Sequence, residues 1–368
     1  MAAPRTTVWE LEPHTRAKHD ILRRYLRAWI PILTQEGGFP NILYIDGFAG
    51  PGRYAGGEDG SPIIAVKSAL EHKARIKSNI LFLFVEKEKD RAAVLRKCLT
   101  ELPIPRNFQI EIAADKKFAE AFEELKQFFL AKTRKLPPTF AFIDPFGWTG
   151  APFDIVRFIL SQSNCEIFVT FMYEEINRFL SHSDQPENFD QFFGTSEWRK
   201  GISLAPRNSR DRFLHDIYLR QLKKAADAKY VRSFRMQNES NITDYYLFYA
   251  SNNLLGLKRM KEAMWRVDES GEFTFSDATD PNQLVLFSKD PRYDLLEKEL
   301  RDHFHRRKVS VSEIEEFVLT ATPFRETHYK RVLKTLENSE PPALQVIKAP
   351  EGRKRGTFPS PSIMLRFS

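Results

Sequence analysis

Apolar residues follow two periods along the first 270 positions. Short β-branched and aromatic runs recur at Ile42–Ile45, Ile80–Val85, Phe108–Ile112, Phe140–Ile143 and Glu166–Met172. Between them the pattern shifts to a helical period, predicting helices at 61–73, 88–100, 116–133 and 152–162. Ahead of the first run, residues 14–36 set Ile21, Leu22, Tyr25, Leu26, Trp29 and Ile30 on one stripe opposite a basic face, so a helix precedes the first strand. Strands apolar throughout and alternating with helices predict an α/β fold with a parallel sheet covered on both faces. The ligand of such a sheet lies at the carboxyl ends of its strands, where their order reverses.

Residues 173–230, rich in aromatics and turn formers, read as a helical insertion, after which the sheet resumes at Asp244–Ala250 and a helix follows at 254–265. The acidic, turn-rich stretch 268–282 reads as a linker, which divides the chain into domains at 1–282 and 283–368. The second domain has a different order. It predicts helix 291–305, a short helix at 310–319 started by Ser310 or Ser312, a turn at Thr322-Pro323-Phe324, and helix 325–337. Strands at Ala343–Lys348 and Ser362–Phe367 then flank the loop APEGRKRGTF. Three helices followed by a hairpin with a basic tip is the order of a winged helix-turn-helix.

The formal charge is +7 over 368 residues, with 42% hydrophobic and 29% charged side chains, a globular rather than disordered composition. Cys98 and Cys165 are the two cysteines, too few for a thiolate zinc or iron–sulfur site, and they fit a reducing, cytoplasmic setting. The eight histidines show no metal-binding spacing, so no metal is expected. The longest apolar runs are strand-sized and the first twenty residues lack a signal-peptide core, so no membrane association is expected. Charge position matters more than its total. Residues 320–368 hold nine Lys and Arg against four Asp and Glu. Helix 325–337 presents Arg325, His328, Lys330, Arg331 and Lys334, and the hairpin tip adds Arg353, Lys354 and Arg355. A recognition helix with a basic wing suits duplex DNA first, with RNA or a protein as alternatives.

The first strand runs into Asp46-Gly47-Phe48-Ala49-Gly50-Pro51-Gly52. Glycines there let the backbone turn sharply against a ligand, and Asp46 offers a carboxylate to a cationic or hydroxyl group. Glu86 ends the second strand, suited to ribose hydroxyls; Asp115 follows the third, within reach of an adenine amino group; Asp144 ends the fourth in Asp144-Pro145-Phe146-Gly147-Trp148. Acids at strand ends also cap helices or solvate loops, but four in succession around a glycine loop match the S-adenosylmethionine pocket of class I methyltransferases. No Gly-Lys-Ser/Thr follows the glycines, which argues against a P-loop. His14 and Lys18, on one helix face, could bind the cofactor carboxylate or a phosphate, or form an ordinary basic surface.

Over most of residues 10–270 the chain resembles the three-Cys-motif partner family, TcmP. The likeness lies in Trp9…His14-Thr15…Lys18-His19, YIDGFAGPGRY at 44–54, Gly60-Ser61-Pro62, Phe193-Gly194-Thr195…Trp198-Arg199 and Leu257…Met260-Lys261…Met264-Trp265. The resemblance implies a Rossmann-type methyltransferase fold and a neighbouring partner with three cysteines, similar to radical S-adenosylmethionine proteins. Asp144-Pro145-Phe146-Gly147 also resembles the D-P-P-Y motif of amino-methyltransferases, with Phe for the second Pro and Gly for the Tyr. That likeness implies that Asp144 and the Pro145 carbonyl accept bonds from an amine while Phe146 or Trp148 stacks on the base. Two functions stay open: an S-adenosylmethionine-dependent methyltransferase acting on an exocyclic or ring nitrogen of a nucleic-acid base, and a non-catalytic, methyltransferase-like nucleic-acid-binding partner of a three-Cys protein.

Overall fold

Strands with no polar face must be covered on both sides, and the first 265 residues supply helices for each crossover. A computed structural model describes residues 6–72, 76–133, 135–182, 186–205, 208–268, 273–276 and 291–368. These form two compact units: one of residues up to Ala263 with Thr274–Ser276, the other of Met264–Asp268, Phe273 and residues 291–368. The expected boundary between 282 and 283, and most of the expected linker at 268–282, lie outside the described residues.

In the first unit the chain runs α1 (Pro13–Pro31), β1 (Asn41–Asp46), α2 (Ser61–Leu70), β2 (Asn79–Glu86), α3 (Lys89–Thr100), β3 (Phe108–Ala114), α4 (Phe118–Thr133), β4 (Thr139–Ile143), α5 (Phe153–Ser161) and β5 (Cys165–Phe171). The insertion is helical, with α6 (Tyr173–Phe179), α7 (Pro186–Phe193) and α8 (Asn208–Lys224). β6 (Tyr230–Gln237), β7 (Thr243–Ser251), α9 (Leu254–Trp265) and β8 (Thr274–Ser276) follow. The sheet order is β3-β2-β1-β4-β5-β7-β6-β8, and β7 alone runs antiparallel to its neighbours. The order 3-2-1-4-5-7-6 with a reversed seventh strand is that of the class I methyltransferase sheet. β4, β5 and β7 are buried at every position. The order reverses between β1 and β4, which pair in parallel with Asp46 beside Phe142.

α1 carries residues of the site, and a buried polar cluster anchors it to the sheet. The Tyr25 hydroxyl donates to Glu166 of β5, sits 3.0 Å from the Tyr249 hydroxyl of β7, and Ser251 donates to the other Glu166 oxygen at 3.1 Å. Desolvation raises the Glu166 carboxyl to about 7. The cluster fixes the rotation of α1, so that His14 and Lys18, about three and two turns nearer its amino end, lie by the amino end of β7, where Tyr245 stands, and Lys18 also meets Asp144 just past the carboxyl end of β4.

The second unit is a winged helix-turn-helix. α10 (Tyr293–Phe304), β9 (Lys308–Ser310), α11 (Val311–Ala321), α12 (Glu326–Asn338), β10 (Leu344–Lys348) and β11 (Met364–Phe367) follow in order, with the strands arranged β10-β11-β9. Ser310 opens α11 with a reciprocal cap: its hydroxyl accepts the Glu313 N–H at 3.1 Å, and the Glu313 side chain accepts the Ser310 N–H at 2.7 Å. Val332, Leu333 and Leu336 of α12 are buried with Leu296, Leu300 and Ile314 in the unit's core.

Candidate active site

The loop after β1 forms one wall of a pocket at the switch point. Gly50 and Gly52 adopt φ of +64° and +80°, conformations that a side chain would strain, so the chain doubles back over the end of the sheet. Three backbone bonds hold the turn: Gly47 N–H to the Phe142 carbonyl and Ala49 N–H to the Val85 carbonyl, each 2.9 Å, and Gly60 N–H to the Gly52 carbonyl at 2.8 Å. Phe48, Ala49, Gly50 and Gly52 line the pocket. Gly47 packs on Phe118 instead, 2.9 Å from where a Cβ would stand.

Asp46 and Glu86 bind this loop from the sheet side, behind the residues that line the pocket, and neither lines it directly. Asp46 is fully buried; its Oδ1 accepts the Phe48 N–H at 3.2 Å, while Oδ2 has no protein partner. Desolvation raises its carboxyl to about 7, against the lowering influence of nearby Ser61 and the Phe48 N–H. Glu86 accepts the Gly50 N–H on one oxygen and the Glu88 N–H on the other, both at 2.8 Å, and its burial raises its carboxyl pKa. It braces the loop, with the second lone pair of each oxygen left for a hydroxyl. Asp115 is placed elsewhere. Its φ of +58° swings a 61% exposed side chain outward onto Lys89 at 2.9 Å, and it does not line the pocket.

Across the pocket, Asp144 follows β4, and both its oxygens are engaged. Lys18 Nζ lies 2.6 Å from Oδ2 and the Thr170 hydroxyl donates to Oδ1 at 2.5 Å. The Lys18 side chain is 7% exposed and its ammonium stands 5.2 Å over the Tyr245 ring. His14, also buried, sits 3.0 Å from Glu12 and edge-on to Tyr245. His19 lines the same pocket with an unpartnered, buried Nδ1. Desolvation, with Lys18 adding to it, lowers His19 to about 3, so its ring is neutral at physiological pH.

Phe146 and Pro145 line the pocket, and the Phe146 ring meets Trp9 at 5.7 Å and 69°. Trp9 also packs edge-on against Tyr54 and beneath the Arg91 guanidinium, 5.0 Å away. Trp148 takes the other direction. It is buried in the insertion, stacked on Phe189 at 4.9 Å and near Phe179 at 5.1 Å. Of the two candidate stacking residues, only Phe146 faces the pocket. Thr170, Met172 and Tyr245 belong to the same neighbourhood although no sequence spacing marks them, and Trp9, which opens the motif shared with three-Cys-motif partners, joins them.

In the winged helix, Lys330, Arg331 and Lys334 are on the exposed face of α12, where Arg331 and Lys334 border a shallow groove with Asn338. Arg325 precedes the helix as its cap residue, and His328 turns inward, its ring 4.5 Å from Trp265. Arg353 does not project from the wing. Its guanidinium forms two bonds to Glu337 of α12, at 2.9 and 2.6 Å, with side chains 9% and 10% exposed. Arg355 donates to the Glu337 carbonyl at 2.7 Å and stays exposed, as does Lys354. Arg353→Ala is expected to lower stability by about 3 kcal/mol, because it strands a buried carboxylate. Thermal unfolding of the variant checks this.

Residues 274–340 match the family model described as the GMT-like wHTH domain. A search of curated protein sequences returns no match. Among solved structures, the chain is similar to a putative O-methyltransferase from Klebsiella pneumoniae at 13% identity, over 66% of this chain and 91% of that one, with a TM-score of 0.33. The O-methyltransferase from Bacillus cereus in complex with SAH matches at 14% identity over 66% and 84%, TM-score 0.33. The SAH-bound Podospora anserina methyltransferase PaMTH1 matches at 12% identity over 62% and 78%, TM-score 0.27. Likenesses this distant do not bear on activity; the fold rests on the strand order and pairing. No helix among the described residues is long and apolar enough to cross a membrane.

Proposed function

We propose that the protein is an S-adenosylmethionine-dependent methyltransferase acting on an exocyclic or ring nitrogen of a nucleic-acid base. The observation that carries this reading is that Asp46, paired with Phe142, and Asp144, two residues further on, stand at the ends of the adjacent strands β1 and β4 across the reversal of strand order, with Asp144 and the positive-φ glycine loop lining the pocket and Asp46 behind that loop. The residues present fit the cofactor. The buried, unpartnered Asp46 Oδ2 suits its ammonium, the glycine loop its methionine portion, and the Glu86 carboxylate its ribose hydroxyls. When bound, the cofactor supplies an electrophilic methyl group on sulfur. Asp144 then orients the acceptor nitrogen, Phe146 fixes the base plane, and no metal or covalent intermediate is needed. A base within a duplex must be flipped out, which favours single-stranded or partner-opened substrate.

The winged helix supplies nucleic-acid affinity through Lys330, Arg331, Lys334 and Lys354. Replacing Lys330 and Lys334 with Glu is expected to weaken binding to all sequences alike and to flatten the salt dependence by about 0.9 in log–log slope per lost phosphate contact. Affinity titrations at several salt concentrations measure it. The likeness to three-Cys-motif partners adds a neighbouring three-Cys protein to the proposal, and the two unpaired cysteines add a cytoplasmic setting. Isothermal titration with S-adenosylmethionine, followed by labelled-methyl transfer to DNA and RNA, tests the whole. Absence of cofactor binding would leave the non-catalytic reading, a nucleic-acid-binding scaffold.

A further inference from the structure

We propose that the methyl acceptor is a lactam ring nitrogen, the N–H beside a carbonyl in a base such as uracil, hypoxanthine or guanine. In this assignment Lys18 stabilises the carbonyl oxygen as it gains negative charge and Asp144 takes the proton. The proposal deepens the function above and rests on it.

Lys18 Nζ and Asp144 Oδ2 are 2.6 Å apart and both line the pocket where the acceptor must lie. A cationic donor beside an anionic acceptor complements a base edge, which carries an N–H next to a lone pair. A sugar hydroxyl presents one atom rather than two neighbours, and the Phe146 and Trp9 rings on the same pocket favour a flat ligand. Adenine and cytosine also offer an N–H beside an acceptor, so charge separates the candidates. An exocyclic amine attacks as a neutral nucleophile and becomes cationic in the transition state. Beside the Lys18–Asp144 ion pair that development gains little, because the ammonium repels it while the carboxylate attracts it. A lactam nitrogen instead sheds its proton first, and the resulting charge spreads to the carbonyl oxygen, where the ammonium favours it.

The step balances within the site. The N–H proton passes to the Asp144 carboxylate, whose side chain is 20% exposed and can return it to water. The nitrogen lone pair forms the new N–C bond, the C–S bond breaks, and its electron pair stays on sulfur. Thr170, donating to Asp144 Oδ1, keeps Oδ2 turned toward Lys18 and the acceptor.

Two measurements test this. The first is labelled-methyl transfer by the full-length protein to homopolymers. Label is expected in poly(U) and poly(I), as N-methylated lactams, and in their deoxy counterparts. Label on an exocyclic amine of poly(A) or poly(C), or on every RNA polymer and no DNA, would overturn the lactam assignment alone. Label in no polymer while S-adenosylmethionine still binds would overturn the nucleic-acid reading and this inference with it. The second needs no turnover: the absorbance titration of a short RNA carrying 4-thiouridine, bound to wild type and to Lys18→Gln. Wild type is expected to lower the ionisation of the thiolactam by about one pH unit or more, and Lys18→Gln, which leaves the Asp144 carboxylate beside it, to return it to its free value or above. Equal ionisation on both proteins would sink the role given to Lys18.

Discussion

Asp46→Asn is expected to weaken S-adenosylmethionine binding about 100-fold while leaving the protein folded. The amide keeps an oxygen for the Phe48 N–H, so the loop retains its tether, and only the charge opposite the cofactor ammonium is removed. Burial holds the Asp46 carboxyl at about 7 in the free protein, far above an ordinary aspartate. Two signs follow. The ammonium binds the ionised carboxyl, so affinity should rise with pH and level off above about 7, falling about tenfold per unit below it. For stability the sign is opposite: a raised folded-state pKa contributes stability that is complete below the ordinary aspartate value of 3.8 and lost as pH rises through about 7. Asp46→Asn should therefore match or exceed wild type in thermal stability above pH 7 even as it loses the cofactor. Calorimetric titration and thermal melts between pH 5.5 and 8.5, on about half-unit steps, distinguish this from a general loss of fold. A variant that binds as tightly as wild type would remove Asp46 from the cofactor site.

How far the site was legible in the sequence depends on the range of the interactions that build it. Asp46, Glu86 and Asp144 each end or follow an all-apolar run, so their position at the sheet's carboxyl edge follows from local pattern. β6 was not legible as a strand, because Arg232 and Arg235 interrupt its apolar positions; its pairing with β7 overrides that weak pattern. β8 has three residues, too few to show a period. Asp115 sits where the pattern asks for an acid, yet one positive φ directs it to solvent, and no composition rule reads a single dihedral. Partners distant in sequence were hidden altogether. Lys18 and Asp144 are 126 residues apart, and the Arg353–Glu337 clasp converts an apparent wing cation into a structural one. Net charge counts basic residues; it does not say which are already paired.

Asp144→Asn is expected to lower the rate of methyl transfer about 1,000-fold while changing cofactor affinity by less than about threefold. The substitution keeps the shape and one accepting oxygen: with that oxygen turned to Lys18, the amide NH2 can donate to the Thr170 hydroxyl instead of accepting from it, so the pocket wall stays in place. It removes the group that takes the acceptor's proton. Asp144→Ala is a poorer probe because it leaves the buried ammonium with neither counter-charge nor any acceptor oxygen, and such truncations cost about 3–5 kcal/mol in stability alone. The two acids therefore separate in function: Asp46, beneath the loop, governs cofactor affinity, and Asp144, beside Lys18, governs turnover. Single-turnover transfer with cofactor in excess reads the chemical step without interference from binding. If Asp144→Asn transfers methyl at the wild-type rate, proton removal lies elsewhere in the pocket. The unpartnered, neutral His19 is then the next group to replace, since its buried Nδ1 lines the same space and can accept a proton.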